Sequence, residues 1–102
     1  MIASFSIVPL GEGEVFKERI AELVPIIERS GLDYLMGAMQ TTVEGEPEEV
    51  MAVIMACHRQ MRVASPRVLT HITIDDREGA AGRLRGKVRD VEAVLGRSVS
   101  RE

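Results

Sequence analysis

The order of hydrophobic patterns predicts an α+β domain of the ferredoxin-like type, β-α-β-β-α-β, with both helices on one face of an antiparallel sheet and an extra C-terminal helix. Three observations carry this. Long stretches near each end alternate with a period of two, two short strand-like runs stand together in the middle, and each gap between them holds a helical stripe. Two right-handed crossovers interleaved through a central hairpin satisfy all three.

The first strand covers residues 2–9: Ala3, Phe5 and Ile7 point one way, Ser4 and Ser6 the other, and Pro9 ends it. A loop follows, then a helix over residues 14–29 with Phe16, Ile20, Leu23, Val24 and Ile27 on one stripe. Pro25 lies inside that stripe and should kink it, because it lacks a backbone donor and clashes one turn back. Ser30-Gly31 closes the helix, with Gly31 suited to the left-handed position after a C-terminus.

Residues 33–38 and 41–45 read as two short strands around a tight turn near Gly37 to Met39. Pro47, Glu48 and Glu49 then open a helix over residues 47–63, suiting its first turn and the positive end of its dipole. Its inward stripe is Val50, Val53, Ile54, Cys57 and Met61. The fourth strand, 67–75, turns Val68, Ile72 and Ile74 to one side and His71, Thr73 and Asp75 to the other. A final helix near residues 80–95 carries Leu84, Val88, Val91 and Leu95 as a narrow seam for docking on a helix or sheet.

With both crossover helices on one face, the other face is expected to be bare. It presents Ser4, Ser6, His71 and Thr73 beside Ile2 and Val8, with Tyr34 and Met36 from the second strand and Thr42 and Glu44 from the third. A surface so mixed suits a partner subunit or a ligand better than water.

The chain has 102 residues, enough for one core and too few for two, so residues 1–102 are expected to form a single domain. Its 45% hydrophobic and 28% charged composition argues against disorder. A single cysteine precludes an internal disulfide, and no signal-like leader or membrane-length apolar run is present, so the expected location is cytoplasmic with no membrane partner. Net charge is −3, with acids concentrated in the first half and bases in the second. Arg83, Arg85, Lys87 and Arg89 form a basic run without interleaved aromatics, which argues against nucleic acid as a partner.

Catalytic and metal signatures are missing too. Cys57 sits on a core stripe where a thiol is inert, no serine is flanked as in a nucleophile elbow, and the scattered glycines form no phosphate loop. Cys57 and His58 are adjacent on a helix, about 100° apart, and cannot chelate one ion together. Asp75 and Asp76 face opposite ways on a strand and do not cooperate.

Four stretches resemble a known family. Ser6-Ile7-Val8-Pro9-Leu10-Gly11, Ser30-Gly31-Leu32, Met39-Gln40-Thr41-Thr42-Val43-Glu44 and the segment from Arg67 to Arg77 are similar, in this order, to the signature stretches of the small thiamine-binding-protein-like family. The resemblance implies a ferredoxin-like fold, a homotetramer of dimers, and a pocket that in some members takes thiamine or its hydroxymethylpyrimidine part. Gln40 stands where a glycine is usual, and Glu12 where a small residue is common.

The expected function is therefore non-catalytic binding of thiamine or a related pyrimidine or thiazole compound, with no resident cofactor. The expected pocket lies on the open sheet face near a subunit interface. Tyr34 and Met36 would give apolar contact to a flat ring, while Ser6, Thr42 and Glu44 would fix its polar edge. The alternative is a metabolite-sensing or protein-interaction module that does not bind thiamine.

Overall fold

The computed structural model describes residues 1–11 and 16–101, the side chain of Phe16 excepted. The expected start of the first helix at Glu14 and the departure at Glu12 lie outside those residues. Strands β1 (Ile2–Leu10), β2 (Asp33–Met36), β3 (Thr41–Glu44) and β4 (Arg67–Asp75) form one antiparallel sheet in the order β2-β3-β1-β4. Helices α1 (Phe16–Ala21), α2 (Val24–Arg29) and α3 (Pro47–Ala64) occupy the connections, and α4 (Arg83–Leu95) follows β4. This is the ferredoxin-like α+β architecture that the pattern predicts.

Burial follows the period of two on β1, where Ala3, Phe5, Ile7 and Pro9 are buried and the alternate residues are half-exposed. Those side chains meet Leu23 and Ile27 of the first crossover and the α3 stripe Val50, Val53, Ile54, Cys57 and Met61. Each fully buried aliphatic side chain here contributes roughly 1.5–3 kcal/mol of transfer free energy.

The predicted helix over 14–29 is broken where Pro25 requires it. The Leu23 N–H donates to the Ile20 carbonyl across a tight turn, and α2 restarts with Pro25 in its first turn. Gly31 does adopt the left-handed conformation, at φ 75°. β1 does not end at Pro9: it runs one residue further, with Pro9 opposite Val68.

The central hairpin differs most from expectation. β2 and β3 are shorter than predicted, and residues 37–40 join them, closed by a hydrogen bond from the Gly37 N–H to the Gln40 carbonyl at 2.9 Å. In the resulting register Tyr34 pairs with Val43, Leu35 with Thr42 and Met36 with Thr41. Since Val43 is a core residue, Tyr34 and Met36 belong to the helix side of the sheet, and the open face receives Asp33 and Leu35 instead. A one-residue change of phase has moved the whole strand to the other face.

Nor is the open face bare. α4 packs across it over β2 and β3, burying Leu84 and half-burying Val88, while Val91 and Leu95 of the predicted seam remain exposed. The helix starts at Arg83 rather than near 80, because Gly82 takes a left-handed conformation at φ 66° just before it. The overhang fits an elongated molecule, whose radius of gyration is 14.9 Å against roughly 13 Å for a compact chain of this length.

Candidate functional site

Glu44 is the most tightly engaged of the predicted site residues. It ends β3 on the open face, opposite Ile2, and its carboxylate reaches the start of α4. Oε2 accepts the Arg83 N–H at 2.8 Å and Oε1 accepts the Leu84 N–H at 3.0 Å. Gly82, the preceding residue, offers no side-chain cap. A helix start leaves several N–H groups unpaired and carries partial positive charge, so a carboxylate from the sheet satisfies both needs. Glu44 is a cap supplied from another strand.

Ion pairs tie the rest of α4 to the sheet. Arg85 holds Asp33 at 2.9 Å, with its Nε also donating to the same carboxylate, and Lys87 holds Asp75 at 2.5 Å. The hydrogen bond and charge of Lys87 keep the Asp75 carboxyl below the usual aspartate range, and Asp33 raises the Arg85 guanidinium in the same way. Arg83 pairs with Asp90 at 2.6 Å, and Arg101 pairs with Glu92. Arg83, Arg85 and Lys87 of the basic run thus face carboxylates of their own chain.

Two cavities follow from this layout. One is a groove of about 550 Å³ between the open face and α4 with its following tail, floored by Ile2, Leu35 and Thr42. Thr42 is not free there, since its hydroxyl shares a 2.9 Å hydrogen bond with that of Ser4. The paired Arg83, Arg85, Lys87 and Arg101 form its basic rim.

The other is a notch of about 210 Å³ where the sheet loses a strand. β3 begins at Thr41, opposite Phe5, whereas β1 continues to Leu10 beside β4 alone. The β3-side backbone edge of residues 6–8 therefore has no partner strand among the described residues. Ile20, Leu23 and Ile27 wall the notch on the helix side, and residues 36–41 of the hairpin close it. Among the described residues its polar side chains are Ser6, Gln40 and Thr41, and none that lines it is charged.

Of the five predicted residues, the notch brings Ser6 and Met36 together. Thr42 lies in the groove, Glu44 caps α4, and Tyr34 packs against the core. Sequence reasoning missed the apolar wall of Ile20, Leu23 and Ile27, which it had read as core alone. It also left Gln40 out of the predicted site, although that residue departs from the family pattern and lines the notch.

The remaining chemistry-bearing residues have local roles. Burial pushes the Cys57 thiol up to about 11. His58 Nδ1 shares a 2.6 Å hydrogen bond with the Thr70 hydroxyl, and His71 stands exposed on β4 opposite Ser6. Among the described residues no three acidic, His or Cys side chains gather as a metal site, and no helix is long and apolar enough to cross a membrane.

Fold and cavities together define a small ferredoxin-like protein with room for a small molecule beside the sheet. The chain belongs to the thiamine-binding protein family, whose profile matches residues 3–92. A UPF0045 protein of Mycobacterium bovis is 36% identical over 96 residues, covering 93% of this chain and 94% of its own. The UPF0045 protein YqgV of Bacillus subtilis is 32% identical over 100 residues, covering 92% and 96%. Among solved structures, a Thermotoga maritima protein named for a provisional role in thiamine biosynthesis or salvage superposes with a TM-score of 0.77 at 29% identity, over 88% of this chain and 96% of that one. A hypothetical protein of Methanocaldococcus jannaschii superposes at 0.81 with 23% identity, over 88% and 93%, and shares the fold.

Proposed function

We propose that the protein binds thiamine or its hydroxymethylpyrimidine part, without chemistry of its own, in the notch between β1 and the hairpin. One observation carries the reading: two stretches that resemble the family signature, residues 6–11 and 39–44, are far apart in sequence yet meet at this cavity through Ser6, Met39, Gln40 and Thr41. Its chemistry suits the ligand. An aminopyrimidine carries an adjacent ring acceptor and amino donor, which an unpaired strand edge and the Gln40 amide complement, while Met36 and Leu23 contact the ring faces. At about 210 Å³ the notch is smaller than the ~300–1,000 Å³ of drug-sized sites, so it holds one ring and leaves a second to extend outward.

The groove beside α4 is the weaker candidate. Its arginines and lysine are already neutralised by Asp33, Asp75, Asp90 and Glu92, so an anionic ligand must compete with pairs in place.

Calorimetry with thiamine and with hydroxymethylpyrimidine tests the proposal, comparing the parent with Ala38→Trp. Ala38 is exposed on the hairpin and lines the notch, so an indole there fills the cavity without entering the core. The expected result is at least a tenfold loss of affinity at unchanged melting temperature. Equal binding by both proteins rejects the notch. A parent that binds neither compound at millimolar concentration rejects the function in favour of an interaction module.

A further inference from the structure

We propose that the groove beneath α4 is a second binding site, for an aliphatic carboxylate whose chain lies on the apolar floor and whose head group replaces one of the protein's own carboxylates on the basic rim. The groove measures about 550 Å³, within the ~300–1,000 Å³ of small-molecule sites, where the notch falls short of it. It exists because α4 crosses β2 and β3 without closing on them. Among the described residues of α4 only Leu84 is buried. Ile2 and Leu35 of the sheet, Val88 of the helix and Val99 of the tail that follows it line the gap and stay half-exposed. Taking those aliphatic side chains out of water favours an apolar occupant. No aromatic residue lines the groove among the described residues, so a flat ring finds no stacking partner there and a flexible chain suits the walls better.

The rim decides the charge of that occupant. Arg83, Arg85, Lys87 and Arg101 all line the groove, and among the described residues none of its lining is acidic. Their partners Asp90, Asp33, Asp75 and Glu92 attach from outside the lining. Each rim cation therefore already holds a carboxylate. Arg85 does so as a fork, with Nη2 donating to one oxygen of Asp33 at 2.9 Å and Nε to the other at 3.2 Å. That planar two-point geometry is what a carboxylate ligand needs.

The ligand must displace a pair, and two of the pairs can yield. Arg85–Asp33 and Lys87–Asp75 have both members about half exposed, and pairs so exposed hold weakly. A carboxylate anchored by its buried chain gains the same cation without the same loss of freedom, and Asp33 or Asp75 returns to water. The tail adds a strap. The Val99 N–H donates to Glu92 Oε2 at 2.9 Å and Arg101 pairs with the same carboxylate, so one side chain of α4 holds residues 99–101 beside the groove.

Calorimetric titration of the whole protein with octanoate, octan-1-ol and octyltrimethylammonium separates head group from chain. Octanoate should bind, and the alcohol and the cation should bind about tenfold more weakly or not at all. Hexanoate should be weaker than octanoate by about two- to fourfold per methylene lost. Methyl shifts in NMR spectra locate the ligand: those of Leu35, Leu84 and Val88 should move, and those of Leu23 and Ile27 in the notch should not. Asp33→Asn and Asp75→Asn free Arg85 and Lys87 and should each tighten octanoate binding by about two- to fivefold. Arg85→Gln should weaken it about tenfold, whereas Arg89→Gln, in the same run but outside the lining, should leave it unchanged. The proposal is overturned if octanoate does not bind at millimolar concentration, if the cation binds as tightly, or if the shifts are confined to the notch. Weaker binding by both aspartate variants also overturns it, since the pairs would then only give the groove its shape.

Discussion

Replacing Glu44 by alanine separates its two possible roles, helix cap and ligand contact. The variant loses two charge-assisted hydrogen bonds, at 2.8 and 3.0 Å, that hold the first turn of α4 to the end of β3. Bonds to a charged group are worth roughly 1.5–3 kcal/mol each, and capping residues cost about 0.5–2 kcal/mol when cut to alanine. Glu44 is half-buried, and water can reach the freed N–H groups, so the lower figures apply and about 2 kcal/mol is expected. At 4–8 °C per kcal/mol for a domain of this size, the melting temperature should fall by roughly 8–16 °C. Hydrogen exchange should accelerate first at the Arg83 and Leu84 amides. Glu44→Gln keeps one oxygen acceptor and should lose about half as much. Neither variant should alter affinity in the notch, because Glu44 ends the strand that starts at Thr41 and does not line that cavity. A melting temperature within about 2 °C of the parent, with unchanged exchange at the start of α4, refutes the cap. A large loss of thiamine affinity refutes the separation of cap from site.

Three further outcomes are expected. Cys57, with its thiol pushed up to about 11 by burial, should resist thiol reagents at neutral pH until the protein is unfolded, as timed labelling with and without urea will show. Asp75 is held below its ordinary pKa of about 3.9, first by its hydrogen bond to Lys87, so it contributes stability above that value which is lost as pH falls through the depressed one. Melting curves from pH 6 to 2.5 should therefore show Asp75→Asn below the parent at pH 6 and converging with it in acid. Gln40→Gly removes a side chain that lines both notch and groove, and should favour two-ring thiamine over hydroxymethylpyrimidine in parallel titrations.

β1 and the α3 stripe were legible because burial imposes a period on them. Alternation on β1 is complete, and all five residues assigned to the inward face of α3 are buried. The hairpin was not legible, and its sequence shows why. Tyr34-Leu35-Met36 is apolar at every position, so alternation carries no phase, and the face of each residue depends on how many residues the turn contains. A turn centred on Ala38 pairs Tyr34 with Thr42. The four-residue connection 37–40 pairs it with Val43 instead. Glu44 reads from the sequence as a ligand contact on the open face, whereas its hydrogen-bond partners at the start of α4 lie 39 and 40 residues away, and no local pattern points to them.

That single change of phase explains why α4 covers the open face and why the candidate site lies elsewhere. With Tyr34 turned into the core, β2 presents Asp33 and Leu35 to the open side. Asp33 then meets Arg85, and Leu35 floors the groove beneath Leu84 and Val88. In the opposite phase the same surface carries Tyr34 and Met36 and offers Arg85 no carboxylate from β2. The helix consequently takes the face that a flat ligand would need, and the backbone edge with no partner strand among the described residues lies past Phe5, where β3 has not yet begun. Ser6 and Thr41, on either side of that gap, line the notch and not the groove, so loosening the helix at Glu44 should leave those notch contacts in place.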